Sequence, residues 1–176
     1  MLVRYPLRSL VLFLALAGTL VAATAQAAPQ IWSGRTFAFA KAAGSNPSLA
    51  ANQDRITPLV WITRGATQGI YNINSEAAYS HFLSPAGTEW ATGDAVNHGS
   101  LTFADWETWS GGNPPSTVGV NACVHLIAED IFVDIKFDSW GTGTSGGGAF
   151  AYHRAVQPQG TATEKTTWGA IKSLYR

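Results

Sequence analysis

The amino-acid sequence predicts an all-β fold, an antiparallel two-sheet sandwich of the jelly-roll or immunoglobulin-like type. Three observations indicate it. The chain contains about seven to nine short segments dense in β-forming residues, the turns between them are rich in Gly and Pro, and helical periodicity is almost absent. We therefore expect at most one or two short helical turns.

The longest β-pattern runs from His125 to Trp140 and returns, after the glycine-rich turn 141–148, through residues 149–154. From residue 130 onward two residue sets alternate, and only a strand places alternate residues on opposite faces. The apolar set is Ile131, Val133, Ile135 and Phe137, and the mixed set is Asp130, Phe132, Asp134, Lys136, Asp138 and Trp140. Because a lone hairpin is not stable in water, the apolar face must pack against a second layer.

Two details of this hairpin stay open in the sequence. One register places the small residues of 149–153 beside the aliphatic set and places Tyr152 and Arg154 beside Asp134 and Trp140, but a long turn does not determine the register. The preceding β-run, Val118–Ile127, ends so close to the next strand that we expect a bulge or one bent strand near residues 128–130.

The N-terminus has the three parts of a secretory signal peptide. Arg4 and Arg8 form the positive region, residues 10–21 form the apolar core, and Ala25-Gln26-Ala27 is a small-residue cleavage site. We expect cleavage before Ala28 and a secreted or periplasmic protein. A retained membrane anchor is the disfavoured alternative, because the apolar run is shorter than the roughly 20 residues of a spanning helix.

The composition excludes several classes of protein. Loss of the two arginines with the signal peptide leaves nine basic and eleven acidic residues, a net charge of −2. The basic footprint of a nucleic-acid-binding domain is therefore absent. We expect residues 28–176 to form a single monomeric domain without a cofactor or a membrane span. Cys123 is the single cysteine, which excludes an internal disulfide, and its apolar neighbours predict a buried, inert thiol.

A shallow saccharide site on the hairpin is one interpretation of its polar and aromatic residues. The rings of Trp140 and Tyr152 would stack on a sugar, while Asp134 and Arg154 would form hydrogen bonds with its hydroxyls. In the competing and favoured interpretation, the two rings cap a core and Asp134 pairs across the sheet with Arg154 or Lys136.

Trp106 and Trp109 also suggest sugar stacking, and they lie in a compact acidic and aromatic cluster, 105–109. The chain has seven tryptophans, however, and such a number favours an aromatic core and rim.

Catalysis has weaker support in the sequence. Glycoside hydrolysis needs two carboxylates about 5 to 9.5 Å apart. Asp130, Asp134 and Asp138 are spaced four residues apart on one strand, about 13 Å between neighbours, and cannot pair with each other. A partner would have to come from Glu89, Asp105 or Glu107. The segment 143–147 matches G-x-S-x-G by letters, but a nucleophile elbow needs a helix after the serine, and here a strand follows instead.

Metal ligation is also weakly supported. The four histidines, His81, His98, His125 and His153, lack the spacing of zinc ligands. Calcium requires a cluster of oxygen ligands, for which Asn46, Asn52, Gln53 and Asp54 are candidates, but an ordinary loop with internal hydrogen bonds is favoured. We expect no metal.

Several segments resemble a group of uncharacterised bacterial secreted or surface β-sandwich proteins. The resemblance is carried by Gln53–Thr57, Val60–Gly65, Ser84–Trp90, His125–Arg154 and the closing segment Thr167–Tyr175. It implies an extracellular β-sandwich, and the group has no established activity.

Three functions therefore remain as hypotheses. The leading one is a secreted, non-catalytic β-sandwich that binds an extracellular ligand, most simply a glycan or a cell-surface partner. The second is a hydrolase or lyase acting on polysaccharide through Asp134 or Glu89. The third is a structural protein of the envelope or matrix whose aromatic face packs on a partner.

Overall fold

A computed structural model describes residues 27–159 of the chain. The expected signal peptide, apart from its last residue, and the closing segment Thr167–Tyr175 lie outside the described residues. Within them the chain forms nine strands in two sheets, one four-residue α-helix and four short 3-10 turns. The prediction of an all-β fold with two antiparallel sheets is thus confirmed.

The element bounds follow the chain. The strands are β1 (Gln30–Trp32), β2 (Thr36–Lys41), β3 (Asp54–Arg55), β4 (Trp61–Arg64), β5 (Ile70–Asn72), β6 (Thr88–Thr92), β7 (Ala122–Leu126), β8 (Ile131–Trp140) and β9 (Phe150–Ala155). The helix is α1 (Trp106–Trp109), and the 3-10 turns are Ala50–Asn52, Ala95–Ser100, Pro114–Thr117 and Ile127–Glu129.

The large sheet has the order β2-β9-β8-β7-β6, and all four of these pairings are antiparallel. Strands β6 to β9 are neighbours in sequence as well as in space, and β2 completes the sheet beside β9. Strand β1 pairs in parallel with the first three residues of β8, 131–133. Strand β9 pairs with the same edge of β8 from Ile135 to Trp140. The small sheet is an antiparallel meander, β3-β4-β5.

The connection between β7 and β8 is a tight reversal. The expected single bent strand is wrong, because the two strands pair antiparallel with Leu126 opposite Ile131. A 3-10 turn, Ile127–Glu129, is followed by Asp130 in the left-handed region, with φ 51°. Asp is one of the few residues other than Gly that tolerate this conformation, so the chain reverses without a longer loop.

The core lies between the two sheets. The four residues of the apolar set of β8, Ile131, Val133, Ile135 and Phe137, are buried in it, as predicted. Four aliphatic residues of the segment that carries the small sheet, Ile56, Val60, Ile62 and Ile70, belong to the same cluster. Each such side chain contributes about 1.5 to 3 kcal/mol when fully buried, so the small sheet is the second layer that the apolar face of β8 requires.

The register of β9 reverses the arrangement considered from sequence. Tyr152 lies opposite Phe137 and Arg154 opposite Ile135, so both residues belong to the core side of the sheet. A bulge between Phe137 and Ser139 then brings Trp140 opposite Phe150. Because one extra residue changes which face the following side chains occupy, the bulge moves Trp140 to the core side as well.

A buried ion pair joins the two sheets. Asp54 of β3 accepts hydrogen bonds from Arg154 Nε at 2.6 Å, from Arg154 Nη2 at 2.7 Å and from the Tyr152 hydroxyl at 2.7 Å. The side chains of Asp54 and Arg154 are 2% and 7% exposed. Burial raises the pKa of Tyr152 well above its usual value, and the Asp54 carboxylate adds to this effect.

The outer face of the large sheet is partly covered by a third element, the turn Ala95–Ser100. The backbone N–H of Ala95 donates to Asp134 Oδ1 at 2.6 Å. Ala95, Cys123 and Phe132 form a small second core there, with Ile31, Leu101 and Phe103 packed around it. Burial raises the pKa of the Cys123 thiol to about 12, in agreement with an inert thiol.

Among residues 27–159, none of the helices has the length and apolar character needed to cross a bilayer.

Replacement of Asp54 by Ala is expected to lower the free energy of unfolding by about 3 to 5 kcal/mol, because it leaves the Arg154 guanidinium buried without its carboxylate. Urea unfolding measures the loss. Asp138→Ala is the matched control, because it removes an aspartate paired with His153 at 2.9 Å whose side chain is 45% exposed. We expect this control to change stability by less than about 1 kcal/mol. Equal losses of unfolding free energy in the two variants would show that the buried ion pair stabilises the protein no more than the exposed one does.

Candidate functional site

The four residues predicted as a saccharide platform do not share one surface. Tyr152 and Arg154 lie inside the core with Asp54, whereas Asp134 lies on the outer face of the large sheet beneath Ala95. Trp140 is partly buried and borders a cleft at one end of the sandwich. The parity of β9 and the bulge in β8 separate the four, so the platform is not assembled.

The cleft that Trp140 borders has a volume of about 260 Å³. It lies where the β4–β5 turn, the loop before β6, the helix α1 and the β8–β9 turn come together. We call it the aromatic cleft. The residues that line it include Arg64, Gln68, Gly69, Tyr79, His81, Trp106, Glu107 and Trp140. Its volume is just below the range of about 300 to 1,000 Å³ common for small-molecule pockets.

Three aromatic rings line the cleft. Trp106 stacks on Trp140 with centroids 5.5 Å apart and an interplanar angle of 29°, and Tyr79 meets Trp106 edge to face at 6.3 Å. Gly69 makes this packing possible, since a Cβ at that position would lie 2.7 Å from Trp106 Cζ3 and would also overlap the Tyr79 ring. The rings therefore form one packed unit with a glycine behind it.

The short helix α1 places Trp106 and Glu107 in the cleft. Asp105 caps the helix by accepting from the Thr108 N–H at 2.9 Å, and the Trp106 N–H donates to Ser84 Oγ at 2.8 Å. The Thr108 hydroxyl also donates to Asp105, and this hydrogen bond together with that of the Thr108 N–H lowers the pKa of Asp105. Trp109 instead stacks on Trp90, 5.6 Å away, so this second tryptophan of the cluster belongs to the core rim.

Arg64, at the end of β4, connects the small sheet to the β8–β9 turn. Its Nε donates to the Gln68 carbonyl at 2.7 Å, and its Nη1 donates to the carbonyls of Gly141 and Ala149 at 3.0 and 2.9 Å. The guanidinium carbon lies 3.9 Å from the centre of the Trp140 ring. Burial lowers the pKa of Arg64 to about 10. Arg64 thus holds both the turn and the Trp140 ring in place.

Glu107 organises the opposite wall of the cleft. Its carboxylate accepts hydrogen bonds from the Tyr79 hydroxyl and from the Phe82 N–H, and His81 Nδ1 lies 3.7 Å away. The Tyr79 and Phe82 hydrogen bonds lower the pKa of Glu107. Burial of the phenol, reinforced by its bond to Glu107, raises the pKa of Tyr79.

Backbone strain is concentrated beside this cleft. Three residues other than Gly have positive φ in the described chain, and two of them, Gln68 at 66° and Phe82 at 64°, border the cleft or bond to its Glu107 wall. Such a conformation costs roughly 1 to 3 kcal/mol per residue and recurs at binding sites. Phe82 is 79% exposed, so burial of its ring does not compensate for this cost.

The carboxylates considered for hydrolysis are not brought together. Glu107 is the acidic residue in the wall of the aromatic cleft. On the outer face of the large sheet, Glu89 contacts His125 Nδ1 at 2.7 Å. Asp134 lies two strands away from Glu89 and level with Ala91, a separation of about 12 Å from strand spacing and rise. This separation is between Cα positions. The carboxylates themselves are engaged separately, Asp134 by the Ala95 N–H and Glu89 by His125, so they are not arranged as a facing pair.

The loop considered for calcium is closed by its own hydrogen bonds. Asn52 and Gln53 donate to the carbonyls of Asn46 and Pro47 at 2.8 and 3.0 Å, and Asp54 points to Arg154 in the core. Among residues 27–159, no group of three His, Cys, Asp or Glu side chains is arranged to hold a metal ion.

Comparison of the chain with protein-family models, curated proteins and solved structures finds no match. The geometry of the cleft therefore carries the functional argument.

The sequence points to Trp140, to the 105–109 cluster and, among the possible carboxylates, to Glu107, but no pattern in it joins these residues to Arg64, Gly69 or Tyr79. These residues come from separate segments. The compact acidic and aromatic cluster was the one local signal that pointed to this site.

Gly69→Ala is expected to displace Tyr79 and Trp106 and to lower stability by about 1 to 3 kcal/mol, the usual cost of overpacking. Near-ultraviolet circular dichroism reports the packing of the rings, and urea unfolding reports the stability. Gly99→Ala is the control, because a Cβ at that position meets no atom within 4 Å. An unchanged aromatic signal in Gly69→Ala would contradict the described packing.

Glu107→Gln is expected to reduce the dependence of stability on pH in the acidic range. The folded-state pKa of Glu107 lies below its usual value of 4.5. Its stabilisation is therefore complete above about pH 4.5 and is lost as the pH falls through the folded-state pKa. Melting temperatures across this range should show the difference between wild type and variant shrinking as the pH falls. Asp138→Asn, which also removes one negative charge, controls for net charge.

Proposed function

We propose that the protein is a secreted, non-catalytic module that binds an extracellular glycan in the aromatic cleft. The observation that carries this proposal is a cleft in which the partly exposed rings of Tyr79 and Trp140, backed by the buried ring of Trp106, lie beside two charged groups, Arg64 and Glu107. Sugar rings combine an apolar face with hydroxyl groups, and this combination of side chains complements both. The signal-like N-terminus supports secretion.

The volume of the cleft suits a small unit, such as one ring of a longer chain, rather than an extended segment. Trp106 and the Arg64 guanidinium already lie against the Trp140 ring. A sugar ring in the cleft would therefore contact the exposed edge of Trp140 and the polar groups of Glu107 and His81. Glu107 is positioned by Tyr79 and Phe82 before any ligand arrives, which reduces the entropy lost on binding.

The proposal retains Trp140 from the sequence-based site and replaces the other three residues. It also agrees with the resemblance to secreted or surface β-sandwich proteins, which carries no activity of its own. Glu107 is the acidic residue of the cleft wall, and this favours binding over hydrolysis by a facing carboxylate pair.

A protein partner is a second candidate, because Phe82 and Leu83 are exposed next to each other beside the cleft. Adjacent exposed apolar side chains are a feature of protein contact surfaces.

The test is a glycan array and an insoluble-polysaccharide pull-down with the mature chain from Ala28, beside the variants Trp140→Ala and His81→Ala. Aromatic contacts contribute about 0.5 to 1.5 kcal/mol beyond burial, so Trp140→Ala should weaken retention several-fold or more. His81 is exposed, and its replacement is expected to leave the fold intact. Circular dichroism confirms the folding of each variant.

His153→Ala is the matched control for His81→Ala. Each histidine lies beside a carboxylate, but His153 lines a separate groove on the outer face together with Asp134 and Lys136. Loss of binding in His153→Ala with retention in His81→Ala would move the site to that groove. Absence of retention on every glycan would overturn the proposal and favour a protein partner.

A further inference from the structure

We propose that Arg64 receives a carboxylate of the ligand, so that the aromatic cleft selects acidic glycans containing uronic acid. This inference rests on the proposed function, which it narrows from glycans in general to one chemical class.

Arg64 carries a buried positive charge without a neighbouring anion. The residue is 3% exposed, yet no carboxylate among residues 27–159 comes within ion-pair distance of its guanidinium. Its partners are three backbone carbonyls and the face of Trp140. Buried charges in proteins are normally paired. By contrast, the other buried arginine of the sandwich, Arg154, has the bidentate partner Asp54.

One nitrogen of the Arg64 guanidinium remains available. Nε and Nη1 are occupied, and Nη2 has no hydrogen-bond partner among the described residues. Nη2 is also not completely buried. Among the described residues, the completely buried side-chain nitrogen and oxygen atoms without a hydrogen-bond partner are the indole nitrogens of Trp32 and Trp106. Arg64 lines the aromatic cleft, and we infer that Nη2 is the atom that it presents there. A charge-assisted hydrogen bond there is about twice as strong as a neutral one.

Lys41 adds a second positive charge near the same end of the sandwich. It is 2% exposed, and its Nζ lies 3.5 Å from the Gly148 carbonyl. Burial, and then the charge of Arg64, lower its pKa. The Arg64 side of the cleft therefore favours an anion, whereas the Glu107 wall favours hydroxyl donors. A uronic acid ring has a carboxylate and hydroxyls on one small frame, and it matches both walls.

The experiment compares tri-galacturonic acid with its fully methyl-esterified form, which has the same rings but no charge. Isothermal titration calorimetry with the mature chain should give at least tenfold tighter binding of the acid at low salt. This preference should shrink as the ionic strength rises, because salt screens the ion pair. The comparison lies in the ligand and does not depend on the folding of a variant.

Circular dichroism first establishes that the Arg64→Gln variant is folded. The folded variant should bind the acid and the ester equally. The site is checked with His81→Ala, which should weaken both ligands, against His153→Ala, which should weaken neither.

Equal affinity of the wild type for the acid and the ester would overturn the carboxylate assignment and leave glycan binding in place. A preference for the acid that survives in folded Arg64→Gln would show that another residue receives the carboxylate. Absence of binding to both ligands, with retention of another glycan on the array, would overturn the assignment of uronic acid and leave glycan binding in place. Absence of binding to both ligands, together with an empty glycan array, would remove the proposed function itself.

Discussion

The ion pair between Asp54 and Arg154 is the interaction on which the rest of the structure depends. The two residues are far apart in sequence and come from different sheets, and their bidentate contact is closed by the Tyr152 hydroxyl. Hydrophobic packing alone brings the sheets together without specifying their offset, because it is not directional. A buried pair with fixed geometry sets that offset, since any slip would leave a charge unpaired in the core.

The position of the small sheet determines in turn where Arg64 lies. Arg64 ends the strand that pairs with the strand of Asp54, and its guanidinium reaches across to the carbonyls of Gly141 and Ala149. The same side chain lies on the ring of Trp140. The two buried arginines therefore have different roles. The charge of Arg154 is balanced by the Asp54 carboxylate inside the sandwich, whereas the charge of Arg64, at the wall of the aromatic cleft, has no carboxylate partner among the described residues.

The rim of the aromatic cleft is organised before any ligand is present. Gln68 and Phe82 adopt left-handed backbone conformations. The N–H of Phe82 donates a hydrogen bond to the Glu107 carboxylate, which holds Phe82 in place. Strain of this kind persists where the surrounding structure over-determines the backbone. A rim that is already ordered would lose less entropy if a ligand bound in the cleft.

The strand pattern of the sequence already contained much of the fold. Alternation along β8 identified the buried face of Ile131, Val133, Ile135 and Phe137, and the apolar surroundings of Cys123 indicated a buried thiol. These are local consequences of side-chain periodicity and polarity, which a strand expresses wherever it packs. The need for a second layer followed from the same face.

The aromatic cleft was decided by the tertiary structure. The turn at Asp130 and the bulge after Phe137 are single-residue events that periodicity does not reveal, yet the bulge determines the face on which Trp140 lies. The walls of the cleft come from segments that meet only when the two sheets pack. What the sequence determined by itself was therefore the all-β class and the buried face of β8. Which charged group meets which partner, Arg154 with Asp54 and Arg64 with the open cleft, depended on the relative placement of the sheets, because ion pairs between distant segments leave no local pattern.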